Sequence, residues 1–479
     1  RSEQLNCGNV WTPGMSRRLI VIGGDAGGMS AASQVRRREA PEEREIIAFD
    51  RGPDTSFSAC GIPYWISGVV SERNELIARE PDEFREKQQI DVRTGSLVTA
   101  IDLEERAVSV TELATGRQYR EHFDDLMIAT GSIPVRPQLP GINGERVIAV
   151  HTLEDGARVR AVIESHPIDH VVVIGAGYIG LEIAEAMAER GLAVTIVDQA
   201  ETPMTTLDPD MGERVIKGIC DTSIGLALGD GAAAIQLDEA GGAKAVVTTS
   251  GRVLPADLVV LGIGVRPNVE LAEQAGITIG PTGAITVDRR MRTSAENVWA
   301  AGDCVESVNI ISRRPVNIAL GTHANKQGRV AGDNITGVYA AFQGVLGTAA
   351  TKICRVEIAR TGLSSKEAQE AGFEVVAVAI ESTTRAGYFP KAQAICVKLI
   401  AERGTGRLLG GQIVGYEESA KRIDTLALAI WNEMTAGDLF AADISYAPPF
   451  SPVLDPVVIA ARKTHDAVLK DARSSGGRD

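Results

Sequence analysis

Apolar and polar positions fall into blocks that recur along the chain. Residues 18–50 run from a short apolar stretch (LIVIGG) through a glycine-rich turn into a segment of small residues (GGMSAASQVRRR). They leave it through a second apolar stretch, EIIAFD. That order reads as strand, helix and strand. It returns in HVVVIGAG, YIGLEIAEAMAERG and LAVTIVD, with Gly175 standing 152 residues after Gly23. One module is used twice, which predicts an α/β fold with two Rossmann-like units.

Further short strands are expected in DDLMIATGSIP, in the run ending Gly262-Ile263-Gly264-Val265-Arg266-Pro267, and in TSAENVWAAGD. Their glycine-marked ends predict crossings between two lobes, the chain leaving the first near Val150 and returning near Ile279. From Gly344 the pattern changes to alternating strands (KICRVEIART, EVVAVAIES, AICVKLIAER, GRLLGGQIVG) and a helix (SAKRIDTLALAIWNEM). No phosphate-type turn occurs there, so a separate α+β interface domain is expected. Residues 1–14 read as an upstream extension and 467–479 as a flexible tail.

Length and composition narrow the class. A chain of 479 residues with 44% apolar, 23% charged and 4% aromatic side chains and 50 glycines suits a multidomain α/β enzyme. A net charge of −14 disfavours binding to nucleic acid or an anionic membrane. The longest apolar stretches carry a glycine-rich turn and Glu182, and no basic or apolar leader block appears. Six cysteines without a CxxC pair fit a reducing cytoplasm. No metal site is expected, because Pro167 breaks the helix that would align His166 with His170.

The second glycine turn carries a complete G-x-G-x-x-G in Gly175, Gly177 and Gly180, with Asp198 about 20 residues on. Glycines let a backbone approach a pyrophosphate, the helix N-terminus supplies N–H donors, and an acid at that distance hydrogen-bonds ribose hydroxyls. The run Gln199 to Met204 holds no Arg or Lys for a 2′-phosphate, which favours NADH over NADPH. In the first turn Gly23, Gly27 and Gly28 remain and Asp50 stands at the acid position, but Asp25 occupies the middle glycine's place. Cys60 lies in Ser56-Phe57-Ser58-Ala59-Cys60-Gly61-Ile62-Pro63-Tyr64, just ahead of an expected helix start. The positive end of that helix is expected to lower the thiol's pKa and favour the nucleophilic thiolate.

These segments resemble the two-dinucleotide flavoprotein disulfide reductases. The likeness is to the single-cysteine branch that contains coenzyme A disulfide reductase, NADH oxidase, NADH peroxidase and persulfide reductases. The carrying motifs are G-x-x-A-G-G at Gly23 to Gly28, S-F-x-x-C-G-x-P-Y at Ser56 to Tyr64, the second fingerprint, Ala301-Gly302-Asp303, and Tyr446-Ala447-Pro448-Pro449-Phe450-Ser451-Pro452. The resemblance implies an FAD-binding domain at 15–149 and 279–343, an NAD(P)H-binding domain at 150–278 and a dimerisation domain at 344–466. FAD would be held by the first turn with Ala26, by Asp50 and Arg51, by Ala129-Thr130-Gly131, and by Gly302 and Asp303. NADH, or NADPH, would be held by the second turn with Tyr178, Ile179, Glu182, Asp198 and Gly264.

Cys60 would then be the redox thiol, cycling with a substrate-derived sulfur. No other cysteine lies within five positions of it, and the H-P-T-x-x-E ending of the two-cysteine branch is absent. Oxidase and peroxidase members carry a histidine where this chain has Ala26. Coenzyme A disulfide reductases match it at Gln34 and Arg37, which contact the nucleotide end of coenzyme A, and at Tyr388 and Tyr446, which reach across a homodimer whose active site is shared. Ser56 and Ala59 would flank the substrate, Ala59 replacing the Asn common in that branch. The polar ending ARSSGGRD leads to the expectation that no rhodanese domain is fused to this chain. Coenzyme A disulfide is the expected substrate; an NADH oxidase, a stand-alone persulfide or polysulfide reductase, and a redox-sensing flavoprotein are the alternatives.

Overall fold

A computed structural model describes residues 16–475. The expected upstream extension lies outside the described residues. Two five-stranded parallel sheets share one arrangement, save that the outer strand is the last in chain order in the first sheet and the first in the second. In the first, the order is Val298–Ala300, Asp125–Ile128, Arg17–Ile22, Arg44–Phe49, Asp91–Arg93. In the second, it is Val147–Ala149, Leu258–Leu261, His170–Ile174, Ala193–Asp198, Gly225–Leu228. Each central strand runs into its glycine turn and then a helix, Ala26–Arg38 or Tyr178–Glu189. Each unit also carries a three-stranded antiparallel sheet, Ser96–His122 inserted between Asp91–Arg93 and Asp125–Ile128, and Ala232–Pro255 inserted between Gly225–Leu228 and Leu258–Leu261. At the end of the first sheet opposite the glycine turn, the fully buried Arg44 pairs with Asp125 and Glu39.

The expected domain boundaries move. Val147–Ala149 pairs with Leu258–Leu261, so it belongs to the second sheet although it precedes the expected exit at 150. Three apolar residues have no periodicity to assign them. The return is also earlier: Ala272 and Ile277, at and after helix Glu270–Gln274, are buried in the first unit's core. The crossing itself is the antiparallel pair of Ser132–Pro134 with Val265–Pro267.

The C-terminal segment is a five-stranded antiparallel sheet, ordered Ala349–Ile353, Val356–Gly362, Leu408–Gly415, Ala394–Glu402, Val375–Thr383. The run read as one strand, KICRVEIART, is a hairpin, because Cys354 adopts φ +53° and turns the chain. Of the tail expected at 467–479, residues 467–475 are instead the end of helix Pro456–Ser475, and the rest lies outside the described residues. Val457, Ala460, Ala461, Thr464 and Val468 recur every three or four residues and are buried, and Arg403 pairs with Asp471 at 3.1 Å. Small apolar residues among many charges hide that stripe in the sequence. No helix among the described residues is long and apolar enough to cross a membrane.

A polar latch ties the second unit to the C-terminal sheet. Lys398 lies 2.8 Å from Asp208 and 2.6 Å from Asp210, Ser365 N–H donates to Asp208 at 2.9 Å, and Asp208 N–H donates to Gln412 Oε1 at 2.9 Å. Burial pushes the Asp208 carboxyl up, but its bonds from Lys398 and Ser365 outweigh this and hold it below the usual carboxylate range. Lys398→Met would leave that buried charge without its cation. We expect a loss of about 3 kcal/mol, read as a lower urea midpoint at unchanged m-value. An unchanged midpoint would mean that Ser365 alone satisfies Asp208.

Candidate active site

The two glycine turns are built alike. Gly23 and Gly175 have φ +109° and +108°, conformations open to glycine and strained for other residues. A Cβ on Gly28 would stand 2.0 Å from Gly23 O, and one on Gly180 1.9 Å from Gly175 O, so glycine is what lets each helix close on its strand. Gly177 differs: a Cβ there would meet nothing within 4 Å. The turn therefore keeps open space above the N-terminus of helix Tyr178–Glu189, where unpaired N–H groups can receive a pyrophosphate.

The two acids at the strand ends do the same work. Asp50 accepts from Gly24 and Gly52 N–H, both at 2.7 Å, and Asp198 accepts from Ala176 N–H at 2.7 Å and Ala200 N–H at 2.8 Å. A carboxylate has about four acceptor positions, so each retains capacity for ribose hydroxyls. Asp25 caps helix Ala26–Arg38 with its backbone. Burial, with Asp50 and Asp303 nearby, raises its carboxyl to about 6, which weakens a charge that would oppose a pyrophosphate. The first turn thus fits a dinucleotide despite its missing glycine. Burial raises the Asp50 carboxyl, while its bonds from Gly24 and Gly52 and the exposed Arg51 oppose that rise.

Asp303 follows Gly302 (φ +90°), whose N–H donates to the buried Gln327 at 2.9 Å. Ser132 donates to Asp303 at 3.0 Å; burial raises the Asp303 carboxyl, while Ser132 and then His151 oppose that rise. Sequence reasoning missed Ser132 and His151, which belong to no motif and reach Asp303 only through the fold. Thr130 donates to Asn268 O at 2.6 Å, Gly131 O accepts from Asn268 N–H, and Gly264 O accepts from Val135 N–H, so these residues pin the crossing between lobes. Ala129 N–H donates to Ile22 O at 2.8 Å, and Gly27 packs against Ala301 O.

Cys60 is exposed in a 3₁₀ turn, Ala59–Gly61, that leads into the short helix Ile62–Ser67. Ser56, held at φ +48°, donates its N–H to Gly24 O, so the cysteine loop rests on the first glycine turn. The expected lowering of the thiol pKa is overturned. Although Cys60 reaches the surface, the atoms packed around it exclude enough water to raise the thiol, and Glu182, Asp303 and Asp25 add to the rise. A helix of six residues offers little dipole against three carboxylates. The exposed Ala59 sits beside the thiol in sequence.

Tyr178 is largely buried, which raises its phenol, while its hydrogen bond with Thr206 opposes the rise; Ile179 packs into the second unit's core. Glu182 accepts from Thr351 Oγ at 2.7 Å. Tyr388 and Tyr446, 58 residues apart, are brought together by a hydrogen bond that raises Tyr446, yet they are 78% and 45% exposed. Arg422, another residue sequence reasoning missed, donates to Thr384 O at 2.8 Å and to Phe450 O at 2.6 Å, bracing the two loops that carry the tyrosines. Gln34 does not open to a cleft: it is buried, with its amide donating to Asp333 at 2.7 Å and accepting from the exposed Arg37 at 3.1 Å.

Residues 17–328 match the pyridine nucleotide-disulphide oxidoreductase model, and residues 348–457 match the dimerisation domain of that family. The chain belongs to the pyridine nucleotide-disulphide oxidoreductase family. It is 38% identical over 449 residues to the NAD(P)H coenzyme A polysulfide/persulfide reductase of Pyrococcus horikoshii, covering 94% of this chain and 98% of the relative. It is 36% identical to the NADH oxidase of Methanocaldococcus jannaschii (95% and 99% covered) and 29% identical to the coenzyme A disulfide reductase of Staphylococcus aureus (91% and 96%). The reduced Bacillus anthracis CoADR-RHD structure superposes with TM-score 0.91 at 34% identity, covering 95% of this chain and 81% of that one. The protein is an FAD-dependent NAD(P)H oxidoreductase.

This member of the disulphide oxidoreductase family separates two glycine roles for experiment. Gly177→Ala should leave the urea midpoint of the ligand-free protein unchanged and raise the KM for NADH roughly tenfold. Gly180→Ala should lower both stability and NADH binding, because its Cβ strikes backbone. For Asp198→Ala combined with Gln199→Arg, kcat/KM should shift from NADH toward NADPH by at least about tenfold. An unchanged ratio would mean that the adenosine ribose is read elsewhere.

Proposed function

We propose that the enzyme reduces sulfur–sulfur bonds of low-molecular-weight thiols, coenzyme A disulfide first, with NADH as the favoured donor and Cys60 as the sulfur nucleophile. The observation that carries this reading is the isolation of Cys60. Among the described residues it forms no disulfide; Cys304 is fully buried and Cys396 packs on Met211 Sδ at 3.7 Å, so neither can turn to meet it. Cys220 is also exposed and Cys354 is half-buried, but neither forms a disulfide with Cys60, and an accessible thiol without a disulfide partner suits a mixed disulfide with a substrate sulfur.

The Cys60 thiolate attacks one sulfur of the disulfide, the S–S bond breaks, and the first thiol leaves and takes a proton. The first glycine turn, Asp50 and Asp303 would hold FAD, which would supply the two electrons of NAD(P)H to the sulfur of Cys60. Those electrons break the mixed disulfide and release the second thiol, so one NAD(P)H and one proton are consumed for two thiols formed. Tyr446, a phenol that Tyr388 pushes further above its ordinary range, carries a proton at neutral pH to give to a leaving thiolate. Both tyrosines lie with the exposed Phe450 and Val453 on the segment that matches the dimerisation domain, which supports a homodimer whose tyrosines serve the partner's cysteine. Arg37, with Lys326 and Arg329 exposed on the neighbouring helix Gly321–Ile335, offers cations to the phosphates of coenzyme A, and Gln34 acts by holding Arg37. Cytoplasmic NADH and free thiols would suit this chemistry.

A coenzyme A persulfide is the second reading, favoured by the name and 38% identity of the Pyrococcus relative. The test is NADH consumption by the FAD-loaded protein with coenzyme A disulfide or coenzyme A persulfide, under air and under argon. Turnover under argon that needs the disulfide and disappears in Cys60→Ser is expected. Consumption only under air, indifferent to either sulfur compound, would sink the reading in favour of an oxidase. Arg422→Gln should lower kcat for the disulfide by about tenfold or more with FAD content unchanged, since it frees the tyrosine loops.

A further inference from the structure

The short helix Ile62–Ser67 that follows Cys60 shares its core with the second unit. Ile62, Trp65 and Ile66 are buried together with Leu153 and Val159 of helix Leu153–Ser165 and with Leu181 of helix Tyr178–Glu189. Gly156 lets helix Leu153–Ser165 come close: a Cβ there would stand 2.8 Å from Ile62 and 3.1 Å from the Trp65 ring. Two cations then close the last turn of the cysteine helix. Arg160 donates to Trp65 O at 3.2 Å and lies over the Trp65 ring, 5.1 Å from its centroid. Arg190 Nε donates to Ile66 O at 2.7 Å.

Arg190 stands at the C-terminal end of helix Tyr178–Glu189, whose other end opens at Gly177 into the candidate nucleotide turn. Ile66 is fully buried, and a helix of six residues is not stable by itself, so its last turn depends on such a donor. On the other side, Ser56 N–H ties the cysteine loop to Gly24 O at 3.1 Å. Cys60 lies in the chain between these two anchors. We propose that Arg190 is a positioning residue for Cys60: by holding Ile66 O it fixes the cysteine helix to the second unit and keeps the thiol where electrons from the nucleotide reach it. The inference rests on Cys60 being the sulfur nucleophile. Arg190→Met keeps an apolar stem but removes the donor and leaves a buried carbonyl unpaired. Arg190→Gln puts an N–H at the atom where arginine has Nε, so it restores the bond without the charge.

The experiment uses FAD-loaded enzyme, reduced with dithiothreitol and desalted under argon. Treatment with dithiobis-nitrobenzoate then leaves Cys60 in a mixed disulfide with thionitrobenzoate, confirmed by mass spectrometry. NADH is added under argon. Its two electrons break the S–S bond, thionitrobenzoate leaves as a coloured thiolate, the proton left from the hydride goes to Cys60, and NAD+ forms. Release that needs NADH and is missing in Cys60→Ser belongs to this thiol and not to the exposed Cys220. Arg190→Met should slow it about tenfold, while bleaching of the flavin by NADH in the unlabelled enzyme stays within about twofold of wild type. Arg190→Gln should bring release back to within about threefold of wild type. FAD content equal to wild type certifies folding. Release at the wild-type rate in Arg190→Met, flavin bleaching slowed to the same degree, or an Arg190→Gln rate as low as that of Arg190→Met overturns the proposal. Wild-type enzyme that releases nothing with NADH would overturn the role of Cys60, and the proposal with it. Coenzyme A disulfide is not used, so a failed coenzyme A assay with this pattern intact counts against the proposed substrate alone.

Discussion

Two carboxylates, Asp50 and Asp198, hold the strand ends from which both nucleotide sites are made. Each accepts two backbone N–H groups, one from the glycine turn and one from the residues just beyond the acid itself. Charge-assisted bonds of this kind are stronger than neutral ones, and here they lock two neighbouring parallel strands at the point where the chain must turn into a helix. The turn geometry then leaves only glycine at the positions where helix and strand backbones meet. Nucleotide binding is thus prepared by the fold's own closure, and the open space at Gly177 is what remains once those contacts are made.

The cysteine inherits its place from this arrangement. Its loop rests on the first glycine turn through the Ser56 bond to Gly24, while Ile62, Trp65 and Ile66 behind it share a core with the second unit and with Ile353, Val356 and Ile358 of the C-terminal sheet. Three segments distant in sequence therefore fix one thiol. The Asp208–Lys398 latch keeps the second unit and the C-terminal sheet in register, so Glu182 and Thr351 meet reproducibly. Such rigidity is what a relay between two nucleotides and a sulfur requires, because misplacement by about 1 Å is costly in a positioned reaction.

The repeated module, its turns and its two acids were legible in the sequence because all of their contacts are local: a glycine turn and an acid on the next strand. Cys60 was legible through the motif around it. Its electrostatics were not, since Glu182 and Asp303 reach it from other segments and outweigh a helix of six residues. The same distinction explains the remaining differences. Val147–Ala149 declares its sheet only by pairing, the Cys354 turn lies inside an apolar run, and the last helix is recognised by the face it buries. Ser132, His151, Thr351 and Arg422 carry no signature at all, being ordinary residues that acquire roles by tertiary contact.

The charge pattern divides the labour of acid and base in a consistent way. Disulfide cleavage needs a thiolate at the attacking sulfur and a proton at the leaving one. Desolvation and then the carboxylates Glu182, Asp303 and Asp25 raise the Cys60 thiol, and Tyr388 raises the exposed Tyr446 phenol. Both groups in the isolated chain are therefore biased toward the protonated form, so neither is an indiscriminate nucleophile. Attack requires that proton to leave Cys60, and Glu182, held at 2.7 Å by Thr351 of the C-terminal sheet, is one of the carboxylates that oppose its loss.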